Sequence, residues 1–378
     1  MISKAKKILT RNLLNIPGWN TRRKIVVIES DDWGSIRMDS PEAYRHFLNI
    51  GYAVDKCPYN RYDMLESNTD LEMLFEVLDS VKDIHGRPAM LTANSLVANP
   101  DFKKIEADNF QHYHYEIFTE TLKRYPNHYR VFNLYHQGIE GQVIRPQYHG
   151  REHLNVSRWM KALQQKDEHA LEAFRYNMFS VHHKQNNENI LEYMEALDID
   201  NKEQLHDLSR MLKDGADIFE QLWGYPSASF IASCYVWPSE IEKTLLETGV
   251  NYIQGVVAQG VPVPGKKFRY SYKYHFQGSR NANGQRYIVR NAFFEPSHTP
   301  LEDNVGMCMQ RVETSFKWNK PAVISTHRLN FMGGLDASNR ERGLTQLESL
   351  LKQIVKRWPT VEFMSTDELG NVMKSGRP

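Results

Sequence analysis

Two adjacent carboxylates, Asp31 and Asp32, a histidine pair, His149 and His153, and a later Thr326-His327 are the residues whose types and spacing can do chemistry. Asp31 and Asp32 close a polar turn, Ser30-Asp31-Asp32-Trp33-Gly34. Neighbouring residues leaving a strand point to opposite sides, so one carboxylate can ligate a metal while the other faces substrate. Histidines at i and i+4 share a helical face, which lets both imidazoles reach one ion. Two neutral nitrogens and one carboxylate form a usual ligand set for Zn2+, and they also suit Co2+, Ni2+, Fe2+ or Mn2+. Each element alone has a plainer reading. Asp-Asp pairs cap helices, two histidines among 15 can share a surface helix, and a lone histidine after a strand is usually structural.

The elements that must position these residues alternate between strand and helix. Lys24 to Glu29 is a compact β-branched run, the mark of a buried strand. Leu71, Leu74, Phe75 and Leu78 recur at helical spacing over Asp70 to Val81. Ala89 to Leu96 reads as a second strand and Tyr129 to Tyr135 as a third. Ser157 to about Leu212 reads as largely helical, with Asn201 an interruption. Ser229 to Ser233 and Tyr252-Ile253 are short strands, and Pro238 opens a helix between them that runs to Thr248. Gly255 to Gly284 looks like an extended loop or hairpin. Ala322 to Ser325 is a buried strand, Glu341 to Val355 a helix and Val361 to Met364 a final strand. Such alternation implies parallel βαβ units. In them function collects beyond the strands' C-terminal ends. Asp31, Asp32, His149, His153 and His327 all follow expected strands, and that convergence is the first evidence for a site.

Together these elements resemble the polysaccharide deacetylase family, carbohydrate esterase family 4. Ser30 to Gly34 is similar to its Asp-Asp-Gly-like first motif, and His149 to His153 keeps the His-x-x-x-His spacing of its second. Gly215 to Glu220, Gly224-Tyr225-Pro226 and Phe230 to Tyr235 follow the family's helix, turn and strand in order. Pro321 to His327 resembles its last catalytic strand, and Thr360 to Leu369 its closing strand and helix cap. The third motif departs from the family: Ala232 stands in place of an arginine, Ser233 and Cys234 in place of two prolines, and only Tyr235 is kept.

The resemblance implies an α/β fold, a distorted (β/α) barrel with helical and loop insertions. It implies one such domain over residues 23–375, with insertions near 97–128, 155–205 and 255–320, preceded by a basic segment over 1–22. It further implies a divalent metal, zinc first, on Asp32, His149 and His153, with Asp31 as general base and His327 as general acid. The backbone N–H of Tyr235 would stabilise the oxyanion, and Arg290, in Val289-Arg290-Asn291, would supply the missing guanidinium beside Asp31. The implied reaction is removal of acetyl groups from an acetylated saccharide or polysaccharide precursor. Two alternatives stand beside it. A glycoside hydrolase on the same fold would call on Glu29, Glu295 or Asp303, and a non-enzymatic carbohydrate-binding protein would account for the altered third motif.

Composition narrows the partners. Forty-seven basic against 46 acidic residues leave no global field for nucleic acid. Three scattered cysteines build no disulfide framework, which points to a reducing, cytoplasmic setting. No run approaches the length of a transmembrane span. Charge interrupts the apolar residues near the N-terminus, and no small-residue cleavage site follows, so the segment does not read as a signal peptide. Residues 1–20 mix Lys4, Lys6, Lys7 and Arg11 with Ile8, Leu9, Leu13 and Leu14, a pattern able to rest peripherally on an anionic membrane.

Overall fold

A computed structural model describes residues 4–182 and 193–376. Nine strands form the main sheet: β1 (Lys24–Trp33), β2 (Leu91–Ser95), β3 (Ile144–Tyr148), β4 (Ser229–Ile231), β5 (Tyr252–Gly255), β6 (Arg286–Val289), β7 (Ala292–Phe293), β8 (Ala322–His327) and β9 (Val361–Met364). Their order is β6-β5-β4-β3-β2-β1-β8-β7, and every pair is parallel. The first half of β1 also pairs with β9, Lys24 opposite Val361, before β2 takes over that side at Ile28.

The two ends of this path, β6 and β7, are consecutive in the chain and separated only by Arg290 and Asn291. Strands lie about 4.8 Å apart, so two residues cannot bridge the breadth of an open eight-strand sheet. The sheet must therefore curl until its edges meet. At the seam the Arg290 N–H donates to Gly255 O (2.8 Å), and the Asn291 N–H donates to Val323 O (3.1 Å). The expected α/β barrel is thus built, and its distortion is a stave that changes partners halfway along.

Strand alternation sets what lies inside. Ile25 and Val27 pack with Tyr252, Ile288 and Val323 in one buried cluster. Val26 and Ile28 face the other way, into a cluster with Leu74, Leu347 and Leu351 from the surrounding helices. A β1 buried on both faces explains its unbroken apolar run. The same two-residue period carries Glu29 and Asp31 to the inner face, above the apolar plug. The interior there is polar. Asn94 and Gln254 exchange hydrogen bonds of 2.9 and 2.8 Å, and Gln254 donates to Ser229 Oγ (2.9 Å).

Several sequence expectations need correction. Tyr129 to Tyr135 is not a strand, because Val131, Leu134, Tyr135 and Gly138 are the buried positions of a helix, Val131–Glu140. The third stave is instead Ile144–Tyr148, whose Arg145, Pro146 and Gln147 conceal it from an apolar pattern. Between Ser157 and Leu212 the described residues form helices Val156–Gln164 and Glu168–Arg175 and the start of a helix at Gln204. Part of that expectation, 183–192, lies outside the described residues. Pro238 belongs to the turn before the helix Ile241–Glu247, its carbonyl accepting from Ile241 N–H. Gly255 to Gly284 holds the expected hairpin, Ala258–Pro262 against Tyr270–Tyr274.

Candidate functional site

The site begins with an irregularity in β1. Ser30 pairs with Ala93 and Trp33 with Ser95, so β1 spends one more residue than β2 over the same distance. Such a bulge re-aims the side chains it carries. Asp32 takes a left-handed φ of 77°, and Trp33 Nε1 donates to Ser30 Oγ (3.0 Å) across the bulge. Gly34 follows with φ 83°, where a Cβ would sit 2.5 Å from Leu96 O, so only glycine fits. Asp31 consequently points into the barrel while Asp32 turns toward the loop after β3.

That loop, not a helix, carries the histidines. Residues 149–155 are irregular, contrary to the helical face expected from their spacing. They are tied down by their backbone: His149 N–H donates to Ser95 O (3.0 Å), and Arg151 O accepts from Ala98 N–H (2.9 Å). His149 and His153 still converge, each with Nε2 3.4 Å from Asp32 Oδ1. All three side chains are buried, and one ligand atom from each lies within 4.8 Å of the others. His149 donates Nδ1–H to Ile231 O (2.9 Å), which leaves its Nε2 lone pair facing Asp32 with no hydrogen-bond partner among the described residues.

Three ligand atoms about 2.0–2.1 Å from an ion at tetrahedral angles lie about 3.3–3.4 Å apart, so the residues fit a divalent metal. The second Asp32 oxygen is taken by Arg37 (3.2 Å), leaving Oδ1 as a single ligand atom. Burial works to raise the Asp32 pKa, but Arg37, His153 and His149 hold it well below the usual carboxylate range. Burial, with Arg37 and His149, pushes His153 down to about 3 against the pull of Asp32. The pair is thus an anion and a neutral imidazole, the protonation states a metal ligand requires.

Asp31 is held separately. Arg290, buried to 2% exposure, grips it with two hydrogen bonds of 2.7 Å, and Asn94 adds a third of 2.7 Å. Burial alone would raise its pKa; the Arg290 guanidinium outweighs burial and brings it down to about 2. Arg290 also donates to Glu29 Oε2 (2.6 Å), Tyr235 Oη (3.1 Å) and Ser325 Oγ (3.1 Å). Glu29 is sealed beneath, its other oxygen accepting from Thr366 (2.8 Å).

His327 ends β8 opposite Asp31, with Nε2 3.7 Å from Asp31 Oδ2, beyond hydrogen-bond range. Its Nδ1 meets Glu295 Oε1 at 2.7 Å, and Asn330 holds the other Glu295 oxygen at 2.7 Å. Burial depresses the imidazole pKa, but Glu295, then Asp31 and Asp32, lift it to about 9. The ring is therefore a cation at neutral pH, with Nε2–H available on the cavity side.

Asp31, Asp32, His149, His153 and His327 share a cavity of about 240 Å³, walled by Arg37, Tyr59 and Tyr235. One expected role changes. The Tyr235 N–H donates to Ala232 O (3.1 Å) in a 3-10 turn, so it is committed and not free for an oxyanion. Cys234 takes a left-handed φ of 54° in this turn, which a proline could not adopt. Of the carboxylates a glycoside hydrolase would use, Glu29 lies beneath Arg290 and Asp303 caps the helix Asn304–Lys317. Glu295 is occupied with His327.

Sequence reasoning missed Arg37, Asn94 and the part Glu295 plays. A polar residue at the inward position of a buried strand, as Asn94 is, was the available signal. Arg37 and Glu295 lie in loops after strand ends, and nothing in their spacing marks them.

No family model matches the chain, and no curated protein matches it. Among solved structures it is similar to a CE4 family pseudoenzyme from Bacillus anthracis at 8% identity, covering 92% of this chain and 66% of that one with a TM-score of 0.37. It is similar to a probable polysaccharide deacetylase from Pseudomonas aeruginosa PAO1 at 9% identity, over 94% of this chain and 93% of that one, TM-score 0.47. It is also similar to Puue allantoinase at 10% identity, over 95% and 93% of the two chains, TM-score 0.48.

Proposed function

We propose that the protein is a metal-dependent hydrolase that removes acetyl groups from an acetylated saccharide. The observation that carries this reading is the meeting of His149 Nε2 and His153 Nε2 on one oxygen of Asp32, each at 3.4 Å, beside a separately held carboxylate and an imidazolium. The sequence resemblance supplies the substrate class. Asp32, His149 and His153 would hold the ion, with zinc the first choice for two nitrogens and a carboxylate. When bound, a divalent ion supplies Lewis acidity toward an acetyl carbonyl and a nearby water.

The chain's own groups divide the proton work. Asp31 accepts the proton of the attacking water; its Oδ2 takes one strong donor, from Arg290, and keeps acceptor capacity toward the cavity. Arg290 and Asn94 fix its direction, so little motion is needed when the proton arrives. His327 donates from Nε2 to the departing amine or hydroxyl, and Glu295 steadies the imidazolium before that transfer.

Loading the purified protein with zinc and counting metal by mass spectrometry tests the ligand set. About one ion per chain is expected, lost in His149→Ala and in His153→Ala. Retention in either variant, or no uptake by the wild type, sinks the metal site. An acetate-release screen over N- and O-acetylated sugars then tests the reaction; a metal-loaded protein that releases none would refute deacetylation.

A pH profile tests the acid. In Glu295→Gln the carboxylate that raises the His327 pKa is gone, so the pKa falls. Below that pKa the acid form persists, hence activity near pH 6 should be largely kept. The alkaline limb should move to lower pH by about one unit or more, the size of shift a neighbouring opposite charge produces. An unmoved alkaline limb would remove His327 from the proton transfer.

A further inference from the structure

A second cavity, also about 240 Å³, lies outside the barrel at its seam. Its origin is topological. β5 leads to β6 through the hairpin Ala258–Pro262 and Tyr270–Tyr274, and β6 runs directly into β7, so no crossover helix covers the split stave. The N-terminal helix Lys4–Leu14 and the segment after it take that place. They are pinned by Trp318 Nε1 donating to Asn12 (2.8 Å), Asn291 to Asn15 (3.1 Å) and Lys320 Nζ to Gly18 O (2.7 Å).

The lining of this cavity is cationic and apolar. Among the described residues it includes Arg11, Arg290, Arg311 and Lys320 and no Asp or Glu. Arg290 spends its guanidinium inward on Asp31 and Glu29, and Lys320 donates to main-chain oxygens and Asn20. Arg11 and Arg311 remain. Among the described residues neither has a carboxylate partner: Arg11 makes one long contact, 3.5 Å to Gln310, and Arg311 lies over the Phe293 ring at 4.7 Å. Gln277, buried at 5% exposure, lines the cavity, and its Nε2 has no hydrogen-bond partner among the described residues. Burial and the neighbouring Arg11 both work against the charge on Arg311. Donors without acceptors and like charges side by side call for an anion.

The rim indicates which anion. Leu9 and Leu13, one turn apart on the helix, and Ile16 just after it are 59, 54 and 49% exposed beside the cavity-lining Leu14. Met307, one turn before Arg311 on the next helix, is exposed as well. An apolar shelf around a cationic hole is the complement of a lipid, with a phosphate at one end and hydrocarbon at the other.

We propose that this seam cavity binds the phosphate headgroup of an anionic membrane lipid through Arg11, Arg311 and Gln277, while the Leu9–Leu13–Ile16 face enters the bilayer interface. The inference stands on its own residues and does not depend on the deacetylase reading.

Flotation of the full chain with vesicles tests it. Binding to equimolar phosphatidylglycerol and phosphatidylcholine is expected, weakening as salt rises, with little binding to phosphatidylcholine alone. Two basic residues at an anionic surface are together worth about thirtyfold in affinity, so Arg11→Gln/Arg311→Gln should lose about that much. Leu13→Glu should also release the protein, and circular dichroism of both variants establishes that they remain folded. Glycerol phosphate raising the thermal midpoint of a protein that ignores vesicles would overturn the lipid assignment in favour of a free phosphate ester. Concentration-dependent dimerisation abolished by Leu13→Glu, without vesicle binding, would assign the face to a second copy of this chain. Equal binding to neutral and anionic vesicles would overturn the headgroup site.

Discussion

Methionine in place of Arg290 should destabilise the protein by about 3–5 kcal/mol, the usual cost of stripping one partner from a buried ion pair. Arg290, Glu29 and Asp31 are 2, 0 and 4% exposed, so water cannot replace the lost guanidinium. Two carboxylates would then share a buried space without their common guanidinium, with only the His327 ring, 3.7 Å from Asp31 Oδ2, as a nearby cation. The effect depends on pH with a definite sign. In the wild type the Asp31 pKa lies near 2, below its unfolded value, so its stabilisation is present above about pH 4 and fades as pH falls toward 2. In Arg290→Met both acids are raised and become easier to bury once protonated. The gap between the urea midpoints of the two proteins should therefore be widest at neutral pH and narrow toward pH 4. Arg290→Lys should fall between them, because a lysine keeps the charge and loses the two-pronged grip. Coincident midpoints for wild type and Arg290→Met at pH 7 would refute the account of the seam arginine.

Turnover should drop by about 10²–10⁴-fold in Asp31→Asn and in His327→Ala, the usual worth of general base or general acid catalysis. Neither residue is among the proposed ligands, so both variants should keep their metal. Asp31→Asn carries a side effect: its amide would aim a donor at Arg290 or Asn94, so rates must be referred to folded protein. His327→Ala has no such complication, since Glu295 remains anchored by Asn330. The competing view is that His327 only packs at the barrel rim, where its loss would cost stability and leave the rate nearly intact. A folded, metal-loaded His327→Ala protein that deacetylates at near wild-type rate would decide for that view.

The parts of this architecture that sequence made legible are those where one residue type admits one environment. An unbroken Ile-Val-Val-Ile run has to be buried on both faces, which located β1 and hence Asp31 and Asp32 at its end. His149, His153 and His327 stood out because ligand and acid chemistry uses few residue types. The stave Ile144–Tyr148 was hidden because this barrel is polar inside: Gln147 serves the buried network through Ser229 and Ser227, so the inward side of the strand does not look like a core. The histidine pair was found by its spacing but assigned to a helix, since a loop fixed by Ser95 and Ala98 leaves no periodic trace. Glu295 escaped a specific role because its meaning depends on His327, 32 positions away. Arg290 was legible only as the answer to an absence, the alanine at 232.

The stave that changes partners has a consequence for how the chain acquires its fold. Pairing β1 with β8 joins residues nearly 300 positions apart, Val26 with Ala322, and the Arg290 grip joins positions 29 and 290. Contacts of such separation form slowly, because the intervening chain must be ordered before they return any free energy. Until then β1 has an unpaired edge, open to the wrong strand or the wrong molecule. Asp32, His149 and His153 all come from the first 153 residues, whereas His327 and Glu295 arrive only with the closing strand. On a growing chain the three candidate ligands are therefore made well before the proton-handling pair, and His149 gains its Nδ1–H acceptor, Ile231 O, only with β4.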